Sequence, residues 1–566
     1  MQSIRPDLQP TFNKSKKTNN RMKELELDIA GMTCDHCAVS IEKNLSKLPG
    51  IQKADVSYPN GKATVAFDDS TLDKTSVIEA VNGTGKYQVV GETGKEQSGE
   101  HRYSLIIIGG GSAAFAAAIR TSELGGTTLI INKGLPTGGT CVNVGCVPSK
   151  TLIRSAEAFH KASHPRFEGI ETTATISDFK KVIEQKREMV RDLRQEKYVN
   201  VIKDDPNITL TEGYGKLIQS NQVEVNNLTY TAENILIATG ASPFIPEIPG
   251  LKEAGYLTNE SAYELEQLPE ELIILGGGYI ALENAQLFSR LGSRVTVLQR
   301  SEHVLSDQPK ELATALTGYL EGEGLTILTN TDILEVTKSD KKRRIRFTVN
   351  GEERELEADQ ILVATGRQGN TENLNLKSTG IDTKGRNYIP VDETMRTKVS
   401  NIFAAGDIVG ERQFVYTAAY EGKVAAENAM RDSHGKADFS VLPWVIFTDP
   451  QVAGVGMDEQ QAEEAGVNYQ AIKLTLDNVP RSIAARDTRG YIKLIRNKDN
   501  DRLIGARILA PEGSELLMEL ALAIRHGVSI QSLKSEFHPY LTLSEGIKLA
   551  ALTFDKDVKK LSCCAV

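Results

Sequence analysis

Twice in this chain an apolar run breaks at a glycine turn and resumes as a helix of small residues. The first copy is "YSLIIIGGGSAAFAAAIRTSELGGTTLIINKG", and the second, 167 positions later, is "ELIILGGGYIALENAQLFSRLGSRVTVLQRSE". Each reads as strand, tight turn, helix, strand. Gly109, Gly111 and Ala114 give G-x-G-x-x-A in the first; Gly276, Gly278 and Ala281 repeat it in the second. The first glycine permits the turn, the second lets a pyrophosphate approach the backbone, and the small third residue lets helix and strand pack closely. The helix N-terminus then faces the phosphates. A parallel strand pair needs a covering crossover helix, so these two units commit the middle of the chain to two Rossmann-like α/β domains, each built to hold a dinucleotide.

The ends of the second strands separate the two sites. A carboxylate there normally binds ribose hydroxyls. The first unit has Asn132, which can still accept a hydrogen bond. The second has Gln299 followed by Arg300, and an arginine at that point suits a ribose 2′-phosphate. NADPH is therefore expected over NADH; Arg300 as a solvated loop charge is the alternative.

The six cysteines fall into three close pairs, Cys34/Cys37, Cys141/Cys146 and Cys563/Cys564. None is left to staple distant segments, unlike a secreted disulfide framework. Three local pairs point to a reducing cytoplasm, with thiols used for metal or redox chemistry. The stretch over 1–22 is polar, lacks the apolar core of a secretory signal, and reads as a disordered tail. No apolar run approaches the roughly 18–20 residues that cross a bilayer. A net charge of −9 argues against nucleic-acid binding.

Residues 23–92 alternate strand and helix patterns in the order βαββαβ, a ferredoxin-like arrangement. "GMTCDHC" falls at the first loop-to-helix junction, where Cys34 and Cys37 can chelate one soft metal ion with two thiolates. A four-ligand zinc site needs two more ligands nearby, and a thioredoxin-like pair would need a different strand order. The segment resembles the heavy-metal-associated domains of copper and mercury carriers. Residues 93–102 read as a linker.

Between the two glycine turns lies "GGTCVNVGCVPSK". With "ILIATGA", "ILVATGR" and "NIFAAGD", it makes 103–560 strongly resemble the flavin-dependent pyridine nucleotide–disulfide oxidoreductases. The resemblance implies FAD on the first unit and NADPH on the second. It implies Cys146 as the thiol against the flavin and Cys141 as the interchange thiol. Gly139, Thr140, Lys150 and Asp407 are expected against FAD, with Lys150 and Glu283 paired near its reactive edge. A cysteine thiol needs a nearby cation or helix N-terminus to fall below its usual pKa of about 8.5; this pair starts a helix and precedes Lys150. The implied layout is FAD domain over 103–248 and 371–440, NADPH domain over 249–370, and α+β dimerisation domain with a dithiol tail over 441–566.

The C-terminal region departs from the disulfide-reducing members. Where they carry a proton-shuttling histidine, "FHPYLTLSEGIKL" has Tyr540, and His538 lies two residues too early. A tyrosine of pKa about 10 is a poor shuttle at neutral pH. Tyr198 matches a second active-site tyrosine by resemblance, although by pattern alone it is an ordinary helix residue. The tail "LSCCAV" carries Cys563 and Cys564; it does not fit a prenylation signal and suits soft-metal binding. Carrier domain, flavin–dithiol body and tail dithiol together resemble the mercury-reducing branch of the family. The expected activity is NADPH-dependent reduction of Hg(II) to Hg(0), with the ion relayed between the cysteine pairs of a cytoplasmic homodimer. Small thiols, and a membrane mercury transporter or carrier, are the expected donors. The alternatives are a dihydrolipoamide- or glutathione-type disulfide reductase and a soft-metal buffer with self-reducing thiols.

Overall fold

The computed structural model describes residues 22–32, 35–58, 61–68, 71–83, 86–93, 102–431 and 433–557. The chain divides into two compact units, 1–100 and 101–566. The expected metal and tail residues Cys34, Cys563 and Cys564 lie outside the described residues.

The first unit runs β1 (Met22–Ala30), α1 (Asp35–Leu45), β2 (Ile51–Ser57), β3 (Lys62–Asp68), α2 (Lys74–Asn82) and β4 (Gln88–Thr93). Its antiparallel sheet has the order β2-β3-β1-β4, the ferredoxin-like arrangement expected. Period-two alternation in "ELELDI" sends Leu25, Leu27 and Ile29 inward with Val65 and Phe67 of β3, where they meet Ile41 and Leu45 of α1. Asp73 caps α2 by accepting the Ser76 amide at 2.8 Å. Cys37 sits in the first turn of α1, half-buried, beside an exposed His36.

The second unit opens with β5 (Arg102–Ile108), α3 (Ser112–Glu123) and β6 (Thr128–Asn132), which are the strand, helix and strand read from the first glycine turn. β5 pairs in parallel with β6 and with Leu228–Ile237. Strand Ile402–Ala404, just before Asp407, joins the other side of Leu228–Ile237, also in parallel. α4 (Gly139–Asn143), α5 (Cys146–Ser163) and α6 (Phe179–Arg194) follow. The second glycine turn produces a smaller parallel sheet in which Glu271–Leu275 lies between Arg294–Leu298 and Gln360–Val363. A five-stranded antiparallel sheet then carries the C-terminal helices.

Two local expectations change. The apolar pattern "SEGIKLAALTFDKDVKKL" suggests one helix, yet the helix spans only Glu545–Leu552. Phe554 turns back under the Arg496 guanidinium, 4.5 Å from its ring centre, and Asp555 pairs with Lys534. Those contacts end the helix. Tyr198 is also not in an ordinary helix. Gln195–Val199 forms a π-helical turn continuing α6, a one-turn widening that re-aims side chains and is common at functional sites.

Helix Val415–Arg431 lies directly on α3. A Cβ on Gly422 would come within 2.2 Å of the Ala113 carbonyl oxygen, so only glycine allows this approach. Gly422→Ala should part the two helices and lower the stability of this unit by about 1–3 kcal/mol, read as a lower urea midpoint. An unchanged midpoint would show that the helices do not depend on that contact.

Candidate active site

The first glycine turn ends at an α3 N-terminus with no side-chain cap. Its free amides therefore face outward, into a cavity of about 620 Å³. Gly109 has φ +127°, and a Cβ there would lie 2.1 Å from the Ala238 carbonyl oxygen. Ala114 is completely buried, as the third motif position requires. Gly109, Gly111, Asn132, Gly139, Thr140, Cys141, Cys146, Lys150, Glu283 and Asp407, all expected at the site from sequence, line this one cavity. Gly276, Gly278, Ala281 and Arg300 do not; they belong to the second turn.

The dithiol loop is tied to the glycine turn by its backbone. Gly138 N–H donates to the Gly110 carbonyl at 2.7 Å. Asn143 donates to the carbonyls of Pro136 at 2.9 Å and Gly139 at 2.8 Å, and accepts from Arg194 at 3.1 Å. Asn259 donates to the Val144 carbonyl at 3.0 Å. Cys141 and Cys146 are thus placed with their thiols in hydrogen-bond contact. Cys146 is the first residue of the 18-residue α5, whose N-cap Gly145 supplies no side-chain cap. The hydrogen bond from Cys141 holds the Cys146 thiol below its ordinary pKa, with help from the Lys150 charge and against burial. The same hydrogen bond, with burial and the neighbouring charge, pushes Cys141 upward. Of the two, Cys146 is therefore the thiol that ionises first.

Lys150 Nζ pairs with Glu283 Oε2 at 2.7 Å and lies 4.6 Å from the centre of the Phe447 ring. Glu283 is buried, and its other oxygen accepts the Phe447 amide at 2.9 Å. Both carboxylate oxygens are used, which is what a buried ion pair requires. Tyr198 Oη meets Ser112 Oγ at 3.1 Å, and its ring stands edge-on to Phe115 at 5.1 Å. Burial raises its pKa, opposed by the Ser112 contact, and the charges of Cys141 and Cys146 raise it further. It is therefore a neutral phenol at physiological pH.

An extended nucleotide fits this cavity. Arg367 is almost fully buried on its wall, and its Nε has no protein partner. Its guanidinium faces Asp407 at 3.6 Å. Burial raises the Asp407 pKa against the pull of Arg367. An orphaned guanidinium nitrogen, a desolvated carboxyl and uncapped helix amides are the groups a diphosphate and a polyol would satisfy. Asn132 donates to the Leu135 carbonyl at 3.1 Å, so its side-chain oxygen is left as the acceptor. At the second turn the helix Tyr279–Arg290 again begins without a side-chain cap, and a Cβ on Gly278 would meet nothing within 4 Å. Ala281 is fully buried. Gln299 is buried beneath Gly277 while Arg300 is exposed.

Sequence reasoning did not single out Tyr263 and Tyr279, which line the cavity, or Arg367, Asn143 and Arg194. Tyr279 could have been suspected, because it is the first helical residue after Gly278 and so must stand at the ligand. The others act through contacts between distant segments.

Tyr540 is not in the cavity. It sits about half exposed on the loop before helix Glu545–Leu552, where Glu545 accepts the Leu541 amide at 3.1 Å. His538 is held by Glu519 at 2.8 Å, its side chain 7% exposed. Phe537 beside it is 99% exposed, and Met518, Leu522 and Leu541 are also exposed. This is an apolar surface suited to a second copy of the chain.

Residues 26–87 match the heavy-metal-associated domain family, 103–422 the pyridine nucleotide-disulphide oxidoreductases, and 442–551 the dimerisation domain of those oxidoreductases. The mercuric reductase of Lysinibacillus sphaericus is 40% identical over 551 residues, covering 96% of this chain and 100% of that protein. The mercuric reductase of Staphylococcus aureus is 40% identical over 543 residues, covering 95% and 99%. Among solved structures, the Cu(II) complex of the HOCl-induced flavoprotein disulfide reductase RclA from Escherichia coli is 28% identical with a TM-score of 0.72. It covers 80% of this chain and 100% of that one.

The thiol pair can be tested directly. In reduced, metal-free protein, iodoacetamide should alkylate Cys146 with an onset below that of a free thiol. A hydrogen bond to a charged group is worth about 1.5–3 kcal/mol, so Cys141→Ala should move that onset up by about one to two pH units. An unmoved onset would assign the activation to Lys150 and the helix terminus alone.

Proposed function

The chain belongs to the pyridine nucleotide-disulphide oxidoreductase family, and within it to the mercuric reductases, and from that premise we propose how its residues handle the metal. The activity is NADPH-dependent reduction of Hg(II) to Hg(0), by a homodimer that uses FAD. FAD, when bound, supplies the two-electron link between NADPH and the dithiol site. Gly109, Gly111, Ala114, Gly139, Thr140, Asp407 and Arg367 would hold it. Gly276, Gly278, Ala281 and Arg300 would hold NADPH.

The observation that carries the residue-level reading is the Cys141–Cys146 pair: two thiols in hydrogen-bond contact on the cavity wall, with Cys146 held below its ordinary pKa. A dithiol with one member ionised is a ready ligand for a soft metal ion. Hg(II) arrives bound to small thiols or to Cys34 and Cys37, with a membrane mercury transporter or carrier as an upstream donor. Cys563 and Cys564 take the ion by thiol exchange and pass it to Cys141 and Cys146. In each exchange one Hg–S bond forms as another breaks, and the incoming thiol's proton goes to the departing thiolate. Two electrons then convert the bound ion to Hg(0), which leaves both sulfurs as thiolates. Lys150 offsets the charge that collects at Cys146, and Glu283 holds Lys150 in place. Tyr198 remains a neutral phenol, able to donate a hydrogen bond to a sulfur but unable to take its proton. Tyr540 and the tail thiols serve the other subunit of the dimer.

No helix among the described residues is long and apolar enough to cross a membrane. The clustering of cysteines in close pairs and the need for NADPH support a cytoplasmic setting.

The decisive assay is NADPH consumption with Hg(II) in excess small thiol, beside oxidised lipoamide and oxidised glutathione. Sustained turnover is expected only with Hg(II); turnover with a disulfide alone would favour a disulfide reductase. Cys563→Ala with Cys564→Ala should cut turnover by at least tenfold when bulky thiols hold the ion, while reduction of an artificial flavin acceptor survives. Full mercury activity in that variant would reject the relay.

A further inference from the structure

One buried carboxyl next to the nucleotide cavity has no part in the handling of the metal. Glu421, on helix Val415–Arg431, is 3% exposed and accepts the Gly406 amide at 2.8 Å. Gly406 turns the chain between strand Ile402–Ala404 and Asp407 with φ +81°, packed against Ala113 and Ala418. A buried amide without an acceptor is costly, so the Glu421 bond selects the orientation of this peptide. Asp407, the next residue, lines the cavity; Glu421 does not. Glu421 instead borders a separate polar cleft with Asp392, Glu393, Lys436 and Asp438.

We propose that Glu421 is a positioning residue for the flavin nucleotide: it fixes the Gly406 peptide and, through it, presents Asp407 to the cavity. The proposal rests on the assignment of FAD to that cavity.

The support is proton-linked. Burial pushes the Glu421 carboxyl up to about 7; the Gly406 bond and Arg412 pull it down, while Asp407 and Glu411 push it further up. Among the cleft's other charges, Glu393 is paired with Lys436, Asp438 with Arg525, and Glu411 with Lys384 and Arg412. α3 meets this turn through Ala113, which carries no charge. Above neutral pH a second carboxylate therefore stands behind Asp407, and the nucleotide entering the cavity is itself an anion. Binding should weaken as Glu421 ionises. The folded-state value lies above the unfolded one, so the same group contributes stability that is fully present in acid and lost as the pH rises through about 7.

The test uses full-length apoprotein reconstituted with FAD and followed by flavin fluorescence. The wild-type titration checks the cavity's assignment separately. At pH 6, Glu421→Ala should raise the FAD dissociation constant about tenfold, the cost of one orphaned amide. Glu421→Gln keeps an acceptor and should stay within about threefold of wild type. Between pH 6 and 8 the wild-type constant should rise several-fold, while that of Glu421→Gln stays flat, a difference that a merely packed side chain would not produce. An Ala variant that binds FAD as tightly as wild type, or a Gln variant that keeps the wild-type pH slope, overturns the proposal. If the Ala variant does not fold, the Gln profile alone decides.

Discussion

The Gly138 amide donates to the Gly110 carbonyl at 2.7 Å, and this backbone bond joins the two chemical halves of the site. Gly110 lies in the turn that receives a nucleotide, and Gly138 begins the loop that carries both thiols. The approach is so close that a Cβ on Gly139 would come within 2.7 Å of the Gly111 Cα. Side chains could not bring these segments together without filling the cavity they are meant to border. Once they are joined, the start of α5, and Cys146 with it, has little freedom relative to α3. The polar contacts of Asn143, Arg194 and Asn259 then lock the loop from behind. Such support behind a reactive pair is what holds it at bonding distance.

Charge is arranged as closely as backbone. Lys150 is one helical turn beyond Cys146, so its ammonium and the uncapped α5 terminus act on the same sulfur. A lysine so near a thiolate could collapse onto it. Glu283 prevents this by holding the ammonium at 2.7 Å, and the Phe447 amide fixes Glu283 in turn. The lysine thus supplies a field at Cys146 while its hydrogen bond goes elsewhere. A buried ion pair adds little net stability, so orientation is the better explanation for its presence.

The architecture was legible where function is written in local spacing. Both glycine turns, the ferredoxin-like order around "GMTCDHC" and the four-residue gap between Cys141 and Cys146 are short-range patterns, and each constrains the backbone strongly. The Lys150–Glu283 pair joins residues 133 positions apart and was available only through resemblance. The π-helical turn at Gln195–Val199 has no sequence signature, because one extra residue in a helical turn changes no pattern that a 3.6-residue period can detect. Arg367, Asn143 and Glu421 stayed hidden for a different reason. Each is an ordinary polar residue until a distant segment closes over it, and its role then comes from desolvation. The C-terminal helix misled for the same reason. Its apolar pattern continues past Leu552, but Phe554 and Asp555 find better partners in Arg496 and Lys534.

The tyrosine that stands, by resemblance, where the disulfide-reducing members carry a histidine is the feature that best separates metal chemistry from disulfide chemistry. Cleaving a disulfide expels a thiolate that must be protonated to leave, so a nearby group of pKa close to neutral speeds the step. Here His538 is held by Glu519, Tyr540 stands at the usual histidine position by resemblance, and burial keeps Tyr198 protonated. Thiol exchange at a soft metal ion carries no such demand, because the proton released by the incoming thiol is the one the departing thiolate takes up. A neutral phenol near the sulfurs can still donate a hydrogen bond to whichever sulfur is momentarily without metal. Glu421, whose carboxyl burial pushes up to about 7, does not line this cavity; it stands behind the Gly406 peptide, where its charge acts on the nucleotide's support and leaves the metal's path alone.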